Sequence, residues 1–99
     1  MFEIRYAEGA ADDLQDLRAY DRQIILDRID EQLSHQPATE TRMKRIIFGL
    51  QPPWQHEEPI WQLRVGEFRV FYDVNVEAQQ VNVRAIRHKP PHKTTEEVI

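Results

Sequence analysis

The chain has 99 residues, no cysteine and a net charge of −4, with 30% of its residues charged. That length supports one domain burying roughly 65% of its unfolded surface, hence one core and one site. The lack of cysteine excludes a disulfide framework, a thiol nucleophile and a thiolate metal site. No apolar run approaches the roughly 18 residues of a membrane span. The opening MFEIRYAEGA has no cationic stretch followed by an apolar one, so the expectation is a cytosolic protein.

In chain order, Phe2, Ile4 and Tyr6 alternate with Glu3 and Arg5, the pattern of a short strand with one buried face. From Ala10 the period lengthens. Ala10, Leu14 and Leu17 fall at helical spacing, with Asp12, Asp13 and Asp16 on the remaining face and the early acids suited to a helix N-terminus. A second helix is expected from about Asp21, read as its N-cap, with Ile25, Ile29 and Leu33 four residues apart and Ile24 and Leu26 widening the stripe. Pro37 ends it, and Ser34 to Thr41 is a connector. Met43 to Leu50 reads either as the start of a strand or as a segment capping the core. Gln51 to Pro59, with three prolines, reads as a loop.

Ile60 to Val74, IWQLRVGEFRVFYDV, carries two alternating runs joined at Gly66-Glu67. A two-residue type II′ turn there pairs Val65 with Phe68, Arg64 with Arg69, Leu63 with Val70 and Trp61 with Tyr72. One face is then apolar throughout, while the other carries Gln62, Arg64, Arg69 and Phe71. Arginines placed directly opposite each other destabilise a ladder by some tenths of a kcal/mol, so the Arg64/Arg69 pair calls for an anion. Glu67 or Asp73 would serve structurally; a phosphate brought by a ligand would serve functionally.

The last strand runs through Val81, Val83 and Ala85, with Asn82, Arg84 and Ile86 between them, and Pro90-Pro91 stops it. The single domain covers 1–99, and 90–99 forms a tail that either stays flexible or folds over the sheet. Charge is unevenly spread: residues 1–41 hold ten Asp/Glu against four Lys/Arg, and residues 42–99 hold nine Lys/Arg against seven Asp/Glu. No acid lies between Ala78 and Thr95, where Arg84, Arg87, Lys89 and Lys93 gather with His88 and His92. The local positive field suits a polyanion or merely keeps an edge strand soluble.

The order β, α, α, β-hairpin, β, a first helix A-x-x-x-L-x-x-L, Lys44, and the segment W-x-L-R-V-G-x-x-R-V-x-Y together resemble the RelE/ParE superfamily of bacterial toxins. The resemblance covers the chain to Lys89, and Leu63 to Tyr72 is its most specific part. It implies an α+β fold, a helical hairpin packed on a small, mostly antiparallel twisted sheet. It also implies the toxin half of a type II toxin-antitoxin pair, with a cognate antitoxin as partner. RelE-like members are ribosome-dependent endoribonucleases that cut mRNA; ParE-like members bind DNA gyrase and cut no RNA. A degenerate, non-toxic member is a third reading.

For the RelE-like reaction the resemblance implies Arg69 as the charge on the developing phosphorane and Lys89 as the catalytic basic residue at the end of the last strand, with His88 or His92 as the acid or base. Arg64, Lys44, Arg87 and His92 would bind RNA phosphate, and Phe71 would supply a stacking surface in place of the C-terminal tyrosine that this chain lacks. RelE-like lysines on the first hairpin strand are here Ile60 and Gln62, which leaves the general base unassigned. Trp54, Phe48 and Val98 are candidate antitoxin contacts. No cofactor or metal is implied, because the histidines have no paired ligand spacing, and the three glycines form no phosphate loop.

Overall fold

The central turn forms as its residues dictate. Gly66 takes φ +58° and Glu67 does not take a positive φ, the conformational requirement of a II′ turn. Trp61 pairs with Tyr72, Leu63 with Val70, Arg64 with Arg69 and Val65 with Phe68, the register expected from alternation.

The computed structural model describes all 99 residues. The strands are β1 (Glu3–Tyr6), β2 (Lys44–Ile47), β3 (Ile60–Val65), β4 (Phe68–Asn75) and β5 (Gln80–His88); the helices are α1 (Glu8–Gln15), α2 (Ala19–Leu33) and α3 (Thr95–Val98). The sheet order is β1-β5-β4-β3-β2, with β1 parallel to β5 and every other pair antiparallel. Met43 to Leu50 is therefore resolved in favour of a strand, because Lys44–Ile47 finds the free edge of β3.

The helices cover one face. Ala10 and Leu14 of α1, with Ile25, Ile29 and Leu33 of α2, pack on Trp61, Leu63, Val65, Val70, Tyr72, Val81, Val83 and Ile86. Each large side chain fully buried there contributes about 1.5–3 kcal/mol. Both helices start two residues earlier than their apolar periods suggested. Asp21 is not the N-cap; it sits in the first turn of α2, where a carboxylate still favours the dipole, and pairs with Arg18 at 3.4 Å. Ile24 turns outward instead of joining the stripe.

Neither long helix has a basic residue in its last turn, so later residues satisfy their orphan carbonyls. Arg22 donates to Leu14 O and Leu17 O, both at 2.8 Å, which closes the helical hairpin. Lys44 donates Nζ to Gln32 O at 3.0 Å and Gln36 O at 2.7 Å, tying the end of α2 to β2.

The second face is covered by the loop before β3 and by the tail. Leu50, Ile60, Phe71 and Ala85 form a small second core, against which Ile47, Trp54 and Ile99 pack. The tail thus folds back onto the sheet. A capping box between Thr94 and Glu97 starts α3, and Thr95 Oγ1 donates to Gln62 Oε1 at 3.2 Å. A bulge in the β4–β5 ladder, where Phe71 pairs with Ala85 and Tyr72 with Val83, puts the consecutive residues Arg84 and Ala85 on this side. No helix is long and apolar enough to cross a membrane.

Candidate functional site

Four neighbouring strands and the turn before β2 present cations to one cleft. Arg42 and Arg45 come from β2 and the turn before it, Arg64 from β3, Arg69 from β4 and Lys89 from the end of β5. Gln62, Gly66, Glu67 and Pro91 complete much of the wall, and the space measures about 480 Å³. The placement follows from register: Arg45 faces Gln62 and Arg64 faces Arg69, so all project from the second side of the sheet.

None of the five cations forms an ion pair with a carboxylate, whereas Arg5, Arg18, Arg28, Arg84 and Arg87 each do. Arg69 is 8% exposed and donates Nη1 to Gly66 O and Phe68 O, both at 2.9 Å. These bonds fix the guanidinium at the floor and leave Nε and Nη2 for another acceptor. Burial, and then the charges of Arg64 and Arg45, hold its pKa below the ordinary guanidinium value. A cation held against like charges favours an arriving anion.

Seven of the seventeen acids lie on α1 and α2, across the sheet from the cleft, and the residues around the cleft include one acid, Glu67. The molecule measures 36 × 31 × 26 Å, and a Debye length of about 8 Å at physiological salt screens that layer from the cleft. The local field is therefore positive despite the overall charge of −4.

The other candidates separate by position. Arg64, Arg69 and Lys89 meet in the cleft. Lys44 does not: its partner across the ladder is Leu63, which turns its side chain to the helical face, where it is 3% exposed. Burial lowers its pKa. Phe71 is completely buried beneath Trp54, with ring centroids 5.3 Å apart, and offers no stacking surface. Arg87 pairs with Arg69 in the ladder but its Nη1 donates to Asp13 Oδ2 at 2.7 Å, and its guanidinium lies 5.2 Å from the Trp54 ring. His88 meets Glu67 Oε1 at 2.9 Å on the rim, and His92 is exposed in the turn after β5. Neither Glu67 nor Asp73 neutralises Arg69, since Asp73 is taken by Arg84 at 2.7 Å.

Arg42 and Arg45 were missed from the sequence. Their signal is the spacing in R-M-K-R: once Lys44 faces the helices, alternation turns Arg45 to the other side, but this requires knowing that the segment is a strand. No group of three or more His, Asp or Glu side chains is arranged to hold a metal ion.

The fold is shared with the toxin-antitoxin complex RelBE2 from Mycobacterium tuberculosis, at 19% identity and a TM-score of 0.69 over 89% of this chain and 98% of that one. It is likewise similar to the archaeal RelE-RelB complex from Pyrococcus horikoshii OT3, at 18% identity and a TM-score of 0.68 over 94% and 98%. No curated protein sequence matches the chain. The family described as the ParE toxin of the type II toxin-antitoxin system parDE matches residues 4–89, and the chain belongs to that family of toxins.

Proposed function

We propose that this toxin acts in the cytoplasm as a ribosome-dependent endoribonuclease, binding the mRNA backbone in the cationic cleft. The observation that carries the reading is the set of five cations without carboxylate partners around a buried arginine. A phosphodiester is the counter-ion such a cleft fits. Arg69 and Arg64 would hold the non-bridging oxygens, and the charge that develops there in the transition state is where fixed donors act most strongly.

A second reading, a gyrase inhibitor without nuclease chemistry, draws support from the family description, which names a ParE toxin. The buried position of Phe71 also removes one base-stacking surface from the nuclease reading. Both readings include a cognate antitoxin, because both similar structures are complexes of a toxin with its antitoxin. Phe48, at 85% exposed, and Tyr20, at 75%, are the apolar surfaces such a partner would cover, whereas Trp54 and Val98 are already half-buried within the fold.

The deciding experiment adds the purified chain to a reconstituted translation reaction and maps mRNA ends by primer extension. Ribosome-dependent cuts are expected, reduced about 10²–10³-fold in Arg69→Ala, with circular dichroism to verify that the variant is folded. Intact mRNA, with inhibited DNA supercoiling in a parallel gyrase assay, would move the assignment to the second reading. Inactivity in both assays would mark a non-toxic member.

A further inference from the structure

The hairpin tip reaches past the strand beside it. β3 continues to Val65, whereas β2 begins at Lys44, opposite Leu63, and the ladder closes one residue further on with Arg64 N donating to Met43 O at 2.8 Å. Beyond that point a notch of about 270 Å³ opens between β3 and α2. Leu63, Val65 and Met43 give it an apolar floor, and Arg28 and Gln32, one turn apart on α2, form its polar wall. Met43, Arg64 and Gly66 line both the notch and the cationic cleft, so the two spaces meet across the edge of β3.

The polar groups of the wall are only loosely engaged. Arg28 Nη1 meets Glu31 Oε2 at 3.5 Å and Gln32 Nε2 meets Glu31 Oε1 at 3.4 Å, both at the limit of a hydrogen bond and both in solvent. Exposed contacts of that kind contribute little, so a ligand can take their place. The bond from Lys44 uses the main-chain oxygen of Gln32 and leaves its amide side chain free of that role. An apolar floor beside two planar hydrogen-bonding groups fits a flat ring with a polar edge.

We propose that the notch is a nucleobase subsite, seating a purine of single-stranded RNA next to the phosphate on Arg64, with Arg28 and Gln32 reading its edge; this rests on the ribonuclease reading. The cleft wall itself carries no aromatic ring and Phe71 is buried, so a base whose phosphate sits on Arg64 finds its apolar cover in the notch. A base splayed out of its stack presents the edges that side chains read. Arginine pairs with O6 and N7 of guanine, and glutamine with N6 and N7 of adenine, so the wall matches either purine. A pyrimidine has no N7 and leaves more of the floor uncovered.

The test uses the full chain with programmed ribosomes and messages that differ only in the bases flanking one cut, comparing wild type with Arg28→Ala, Gln32→Ala and the double variant. The readout is the ratio of cleavage rates at purine and pyrimidine sites within one preparation, so any loss of folded protein cancels. Wild type is expected to favour a purine about tenfold at one of the two flanking positions. Each single variant should lower that ratio, and the double variant should bring it to within about twofold of unity. A wild-type ratio already within about twofold, or one that the double variant leaves unchanged, would overturn the proposal while leaving the nuclease reading in place. A wild-type chain that cuts no RNA would remove the reading and the proposal together.

Discussion

Strand β4 carries a charge toward each end of one face, and the two are treated in opposite ways. Asp73, 2% exposed, accepts hydrogen bonds from Glu57 N at 3.0 Å, Asn82 Nδ2 at 3.1 Å, and Arg84 Nε and Nη2 at 2.7 and 3.3 Å. Arg69, four residues earlier and 8% exposed, gives hydrogen bonds only to the carbonyls of its own turn and has no counter-charge. The Asp73 end fastens the long loop and the β5 bulge to the sheet. The Arg69 end has its position fixed but its charge left open. A fold stabilises itself by completing such networks, and the incomplete one beside four more unpaired cations is the one that the proposed phosphodiester contact would complete.

The comparison breaks most readily at Asp73. Asp73→Ala leaves the Arg84 guanidinium half-enclosed without its carboxylate and strips Glu57 N of its acceptor, and urea denaturation should show a loss of about 3 kcal/mol. A loss below about 1 kcal/mol would mean that the satisfied network is not what holds the second face together.

Tyr72, on the helical face, sets an intermediate scale. Its hydroxyl donates to Pro37 O at 2.7 Å, and burial raises its pKa above the ordinary phenol value. Burial, and then the charge of Asp30, pushes the Tyr6 pKa up to about 12. In both cases the native state holds its proton more tightly than the unfolded state, which titrates near 10. The associated stability is fully present below pH 10 and is lost as pH rises, through about 12 for Tyr6. Tyr72→Phe should lose about 1 kcal/mol at neutral pH. Denaturation curves from about pH 9 to about pH 12 should then fall less steeply than those of wild type.

The smallest stability effect is expected at the open end. Arg64→Gln removes an exposed charge set against Arg69, so stability should change by less than about 0.5 kcal/mol, with a tendency to rise. Single-stranded RNA binding should nevertheless weaken, and the slope of log K against log salt should flatten by about 0.7. An unchanged slope would take Arg64 out of the phosphate contacts and shrink the open cluster.

The hairpin was legible because its determinants are local. Gly66 permits the turn, and alternation from Trp61 to Tyr72 allows one register without turning the apolar set to the wrong face. The helices were legible from Ala10, Leu14, Ile25, Ile29 and Leu33, although not their starts, since Ala7 and Arg18 flank the first turns without a side-chain cap. Site residues fared less evenly. Arg64, Arg69 and Lys89 could be picked out because they lie on or beside the recognisable hairpin and last strand. Phe71 looked equally available by alternation, and only the return of Trp54 and Ile99 over that face buried it.

What the sequence by itself determined is the set of faces: which residues of each helix and strand share a side, and hence an α+β sheet with helices on its apolar side. Periodicity and turn chemistry act over a few residues and need no distant partner. Only the tertiary structure decided what each charge meets. Lys44 was drawn to the end of α2, Arg87 to Asp13 and Arg84 to Asp73, while Arg42, Arg45, Arg64, Arg69 and Lys89 were left together. An ion pair or a helix cap forms only when segments far apart in the chain arrive within a few ångströms, and no local pattern encodes that arrival.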